Sequence, residues 1–515
     1  MIERRSLLLA GAAALAGCAH AAPPVAAPDP AMDAAFRDAV DRLGARPRRT
    51  RPFLLRRFDR ARLTDEGRIL YDALLAGADA DAALADFDWG DNGAPYPVTH
   101  RNGQYRRAAE MREEDRPGIS VREVNNDTNR LHGAAARGVI PPDFLIDETI
   151  PAVEAAQQRV AASGERKYDS LADAMERQVA VLRELRSRAP SEAGVWQFPG
   201  GDDYYRLTLQ FQYGAPIDPR EAHEKALARC RELHTEADVI LRGAEFSEGS
   251  VAERLRRLAR DERHLYADSA EGKAQAVADM NLQLARSRGL LASAIDGLAD
   301  APAQVRLLPA AQEANGTMGR RQGNNYFVDL GGLRSRPRWT LPSVVHHELI
   351  PGHILQAPYE RAAEPSDMQR RHSMGYSEGW STYAEQLADE MGAYAEDPLA
   401  RLGYLQWMLF RLARVVADTG IHAMRWSRAR AIEEMRALQG DSIAFISIET
   451  DVARFAAQPG VYAAQGLAAL HIAELRERTR RDVRDFNLAR FHDAMLRHGP
   501  LSPPGLEQAA RVAFT

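Results

Sequence analysis

Val345-His346-His347-Glu348-Leu349-Ile350-Pro351-Gly352-His353-Ile354-Leu355-Gln356 holds three of the chain's 14 histidines, with a proline and a glycine between the last two of them. A helical His-Glu-x-x-His sets two imidazoles one turn apart, where both can bind zinc, and places the glutamate beside the metal-bound water. Here the second histidine comes two residues late. On an undistorted helix, that spacing turns the two rings apart by ~240° and separates them by ~9 Å, so they would not face one metal. The Pro351-Gly352 pair interrupts helix geometry, which predicts a loop or bulge that brings His353 back towards His347. Glu348 is then the candidate general base. His346 shares a helical face with His353 but lies ~10.5 Å from it along the axis, so packing or support of a ligand is expected of it.

A third ligand is expected from the next polar cluster, Gly375-Tyr376-Ser377-Glu378-Gly379-Trp380-Ser381-Thr382-Tyr383-Ala384-Glu385. Glu378 follows a connecting segment long enough to turn the chain back. It would complete a set of two histidines and one glutamate, leaving a fourth position for water. Glu385 lies two turns further on the same face and is the candidate acceptor that orients a histidine.

Around this centre the chain reads as mainly helical. Helical periodicity runs through Ser170 to Arg188, Pro219 to Gly243, Val251 to Leu265, Gly272 to Leu298 and Asp397 to Ala417. Two short apolar stretches, Val305 to Leu308 and Asn325 to Leu330, are bounded by Gly, Pro or Asn and predict a small sheet just before the metal-binding helix. The expected architecture is a large helical domain over 31–515 with a deep cleft. Cys230, the one interior cysteine, is expected to be a buried small hydrophobe.

The N-terminus has a different character. Arg4 and Arg5 precede the apolar run Leu7 to Ala16, and Leu15-Ala16-Gly17-Cys18 closes it. The run is too short for a permanent span of ~20 residues, and its order of charge, apolar run and small residues is that of an export signal over 1–18. The tetrapeptide resembles a bacterial lipobox, which implies cleavage before Cys18 and a lipid on its thiol. Residues 19–30, rich in Ala and Pro, read as a tether. Charged residues make up 27% of the chain, and the net charge of −5 is dispersed, with arginines alternating with acids as in Arg254 to Arg263. A concentrated basic face is missing from the sequence, which argues against nucleic acid as a partner.

Taken together, His347-Glu348-Leu349-Ile350-Pro351-Gly352-His353 with Gln356, the later Glu378-Gly379-Trp380 and Asp418-Thr419-Gly420-Ile421-His422 resemble the bacterial DUF885 family. The match runs from about Gly200, through Tyr204-Tyr205, to Arg476. Members resemble gluzincin-type zinc peptidases with long helical clefts. The resemblance implies one zinc ion held by His347, His353 and Glu378, with Glu348 as general base; it does not fix the substrate, for which the hydrolytic chemistry of such a site leads us to expect a peptide. The chain departs from the family's Pro-Gly-Gln-Ala-x-x-Tyr pattern: it reads Pro459-Gly460-Val461-Tyr462-Ala463-Ala464-Gln465, so Gln465 stands where the tyrosine would stabilise an oxyanion. Tyr462, one turn earlier, and His422, oriented by Asp418 one turn before it, are the candidate donors in its place. Arg414 and Arg454 are candidates for a substrate carboxylate, and a strand over Asn325 to Leu330 for pairing with an extended peptide. Two rival readings stay open: a zinc amidohydrolase or esterase acting on cell-wall or small-molecule amides, and an exported zinc-binding protein weakened by the Gln465 change.

Overall fold

The structure is a computed structural model that describes residues 27–515 except 91–92, 110–119, 163–167, 314–318, 442 and 444–445. The export signal, Cys18 and the tether up to residue 26 lie outside the described residues. The tether ends earlier than expected. Asp29 is the N-cap of helix Pro30–Asp41, accepting from the Ala31 and Met32 N–H groups, and its own N–H donates to the Arg62 carbonyl at 2.8 Å. A proline just inside the helix start gives up no needed donor, so Asp29-Pro30 opens the folded body.

The described chain is mainly helical, with one small three-stranded sheet. No helix among the described residues is long and apolar enough to cross a membrane. Helix Pro219–Gly243 has the bounds its sequence predicts, begun by the Asp218 cap and Pro219. Helix Val251–Leu258 stops short of Leu265, because Asp261 accepts from the Arg263 N–H and caps a separate 3-10 turn. The core is organised on helix Pro398–Ala423, which is buried almost all round, with Leu405, Leu409, Val415 and Val416 fully buried. Helices Pro219–Gly243, Arg428–Gln439 and Val461–Asp482 pack around it and enclose it. It continues past the expected end at Ala417. Gly420 does not stop it, for that glycine is there to admit Trp426, whose ring would lie 2.2 Å from an added Cβ.

The sheet has the order β1 (Gln304–Leu307), β3 (Asn325–Val328), β2 (Arg320–Gln322), with β1 parallel and β2 antiparallel to β3. Tyr326 and Val328 alternate inward, as period two requires. The strand expected to receive an extended peptide is the central one. Both of its edges are paired within the sheet, so that expectation is corrected; among the described residues β2, fully exposed, is an edge strand instead. Cys230 is buried and unpaired, and burial pushes its thiol up to about 12.

Candidate metal centre

Helix Leu341–Glu348 carries His346, His347 and Glu348 on its last turn. The Leu349 N–H still donates to the Val345 carbonyl at 3.0 Å, after which the chain leaves helical geometry, with a cis Ile350–Pro351 bond. A second helix, His353–Ala363, begins at the second histidine. Gly352 permits this tight return: a Cβ there would lie 1.9 Å from the His347 carbonyl oxygen and 2.5 Å from that of His346. Trp380 Nε1 donates to the Pro351 carbonyl at 2.9 Å and ties the turn to helix Tyr376–Glu390.

The interruption brings the two imidazoles to 4.9 Å between ring centroids, nearly perpendicular. Glu378, on the first turn of Tyr376–Glu390, stands between them: Oε2 is 3.4 Å from His347 Nε2, and Oε1 is 3.3 Å from His353 Nε2. One donor atom from each residue lies within 4.8 Å of the other two. Tetrahedral zinc with bonds of ~2.0–2.2 Å separates its donors by ~3.3–3.6 Å, so the two carboxylate contacts match and the whole set is slightly open. His353 Nε2 is buried and makes no hydrogen bond among the described residues. A buried acceptor without a donor is costly, and a cation at this point would satisfy it. The donor set therefore fits a zinc ion.

The surrounding contacts orient these groups. Glu385 Oε1 lies 2.8 Å from His347 Nδ1, and Glu385 Oε2 accepts from the Ser343 hydroxyl at 2.5 Å. Ser377 Oγ stands 3.3 Å from His353 Nδ1 and donates to Gln356 Oε1 at 3.1 Å. Contacts to the far nitrogen fix each ring and turn its Nε2 towards Glu378, where a metal could bind. Glu348 points its Oε2 at Arg321 of β2, 2.6 Å away. The imidazoles are only 7% and 5% exposed, whereas the carboxylates of Glu378 and Glu348 keep 31% and 19%. The site is thus open to solvent on the carboxylate side.

Electrostatics favour positive charge at this point. Burial and Arg411 disfavour a charged His347 ring, yet Glu378 and Glu385 outweigh them and raise it to about 9. Burial lowers His353, with Glu378 opposing. Burial alone would raise Glu378, but the two imidazoles hold it well below the usual carboxylate range.

Several other candidates are placed elsewhere. His346 is buried, facing Gln283, Ser287 and the Ile350 carbonyl, and is not part of the donor set. His422 is corrected as an oxyanion donor: its Nδ1 accepts from the Val195 N–H at 3.2 Å, its Nε2 faces the Phe455 carbonyl at 3.1 Å, and the ring stacks on Tyr205. Both ring nitrogens are engaged by backbone groups in the core. Asp418 does not orient it either; its carboxylate accepts from the Tyr205 hydroxyl at 2.6 Å and from the Gly460 N–H at 3.0 Å. Arg414 is corrected as a substrate anchor, since Asp451 already pairs with it bidentately in the core. Tyr462 is buried, its hydroxyl 3.4 Å from Arg101 Nη2. Arg454 Nη1 is 3.6 Å from Asp451, and its Nε has no hydrogen-bond partner among the described residues.

Two contacts at the centre, Arg321 and Arg411, were not singled out by the sequence reading. Arg411 had a signal of sorts, because Arg411 and Arg414 are the only charges between Leu402 and Ala417.

The buried Asp418 makes a stability prediction. Burial raises its pKa to about 7, against the hydrogen bonds from Tyr205 and Gly460. The folded chain then holds a proton that the unfolded chain releases near pH ~3.9. The stability it contributes is complete below that value and is lost as pH rises towards 7, at up to ~1.4 kcal/mol per unit. Melting curves of Asp418→Asn should therefore gain on the wild type between pH 4 and 7 and run parallel above it. A constant offset across that range would refute the assignment.

The family model described as "Bacterial protein of unknown function (DUF885)" matches residues 24–509. No curated protein matches the chain. Among solved structures, the chain is similar to "the putative lipoprotein from Colwellia psychrerythraea", with TM-score 0.72 and 22% identity over 94% of this chain and 91% of that one. It is also similar to "a putative lipoprotein of unknown function from Shewanella oneidensis", with TM-score 0.66 and 17% identity over 93% and 92% of the two chains. At these identities the likeness is one of fold.

Proposed function

The chain belongs to the DUF885 family of bacterial proteins, and from that premise we propose that it is a zinc metallopeptidase that hydrolyses peptides in the cell envelope. The carrying observation is the convergence of His347, His353 and Glu378 donor atoms, with Glu348 next to His347 in the chain and its carboxylate 19% exposed. A binding protein has no need of Glu348. Zinc, held by His347, His353 and Glu378, would supply Lewis acidity and lower the pKa of water to ~7. Glu348 takes a proton from the attacking water as its oxygen bonds to the amide carbon. When the C–N bond breaks, Glu348 returns that proton to the leaving nitrogen, so an amide and water become a carboxylic acid and an amine, which ionise to carboxylate and ammonium. Glu385 holds the His347 ring in place throughout.

The test is digestion of a mixed peptide pool by the purified mature protein, with products identified by mass spectrometry. Discrete cleavage that stops on zinc removal is expected. Peptides left intact while cell-wall amides are cleaved would move the reading to an amidohydrolase. Retained zinc with no cleavage of either class would overturn catalysis altogether.

The lipobox-like Leu15-Ala16-Gly17-Cys18, together with the lipoprotein descriptions of both solved relatives, supports a lipid anchor on the periplasmic side. In a bacterial host the wild type should sediment with membranes, and Cys18→Ser should free the protein or leave it unprocessed. A wild type found wholly in the soluble periplasmic fraction would sink the anchor and leave export standing.

A further inference from the structure

Arg411 projects from the enclosed helix Pro398–Ala423 onto the same atoms that form the donor set. Its Nη1 donates to Glu378 Oε2 at 3.3 Å, and its Nη2 lies 3.1 Å from His347 Nε2. The side chain is 11% exposed, with the guanidinium carbon 5.9 Å and 5.5 Å from the Trp407 and Phe410 ring centroids. Its Nε has no hydrogen-bond partner among the described residues. Arg414, one turn along, has its own carboxylate in Asp451. Among the described residues, the only carboxylate that Arg411 reaches is Glu378.

A cation bound by His347, His353 and Glu378 takes the His347 Nε2 lone pair that Arg411 now faces and draws on the charge of the Glu378 carboxylate. The guanidinium would then be a nearly buried charge that has lost one acceptor, shares its carboxylate with a metal and has a second positive charge beside it, which is unfavourable unless an anion joins it. The reaction generates one: as water adds to the amide carbon, the C=O electron pair moves onto oxygen. We infer that Arg411 is the donor to this developing oxyanion, the role that the sequence assigned to His422 or Tyr462. This rests on the hydrolase reading above. A free C-terminal carboxylate would stand at least one residue, ~3.5 Å, further along the substrate, whereas Arg411 touches two donor atoms of the centre itself. When the C–N bond breaks, the electron pair returns to re-form C=O and the contact weakens. Arg411 would therefore bind the transition state more tightly than the substrate, which is what accelerates the step.

The experiment compares wild type, Arg411→Ala and Arg411→Lys on a peptide that the wild type cleaves. Removing an oxyanion donor should lower kcat by ~10²–10³ with KM within a few-fold. Affinity for a phosphinic peptide isostere, measured by calorimetry, should fall in parallel, while product-peptide affinity barely changes. Zinc affinity by chelator competition should hold or tighten, because a neighbouring cation is gone. Methylguanidinium should restore part of the Arg411→Ala rate, a result that a structural role would not give; if that variant does not fold, the kcat and isostere affinity of Arg411→Lys decide. A rise in KM at unchanged kcat would overturn the proposal in favour of ground-state anchoring. Loss of zinc would also overturn it, as would kcat within a few-fold of wild type. Those outcomes leave the hydrolase reading intact, whereas a wild type that cleaves nothing overturns both.

Discussion

Glu348→Gln should leave zinc content near that of the wild type while peptide hydrolysis falls by ~10² or more, the scale of a lost general base. The substitution keeps the size of the side chain and its position on the last turn of helix Leu341–Glu348. It removes the carboxylate that would accept the proton of the attacking water. Glu348 is outside the donor set, so the metal has no direct reason to leave. The amide can still accept one hydrogen bond from Arg321, now 2.6 Å from the carboxylate, so the local geometry should survive. Metal analysis alongside steady-state rates separates the two effects. Activity within a few-fold of wild type at full zinc occupancy would remove Glu348 as base, even with the metal site correct.

Gly352→Ala should abolish metal binding and hydrolysis together, because the His347-to-His353 return depends on backbone passing within van der Waals contact of backbone. The added Cβ would meet the His347 carbonyl oxygen at 1.9 Å. Backbone cannot yield as the tip of a flexible side chain can, so the turn must open and His353 must move. The control is Gly289→Ala on helix Ala270–Leu291, where an added Cβ meets nothing within 4 Å. There alanine should be neutral or stabilising by up to ~1 kcal/mol, with zinc unchanged. Zinc bound at wild-type affinity by Gly352→Ala would show that the tight return does not hold His353 in the site.

Local spacing makes much of this chain legible. The periodic apolar residues of Pro219 to Gly243 name a helix and its ends, because a shared face repeats every few residues and Asp218-Pro219 can only begin one. The same arithmetic shows that His347 and His353 cannot meet on a regular helix and that Pro351-Gly352 has to intervene. The structure realises this with Gly352 packed on the His347 carbonyl. Asp418 and His422 mark where such reasoning stops. Their spacing predicts one helical face, correctly, but says nothing of what lies across from that face. Val195, Phe455, Tyr205 and Gly460 occupy their polar atoms from remote parts of the chain. Arg411 and Arg321 reach the centre for the same reason, from the enclosed helix Pro398–Ala423 and from β2. The sequence by itself determined the mainly helical class, the sheet before helix Leu341–Glu348, and which side chains have the chemistry of candidate ligands and base. The tertiary structure alone decided which arginines face those ligands and which histidine is spent on the core. Spacing along the chain records the face a residue shares, whereas its partner depends on how separate elements pack.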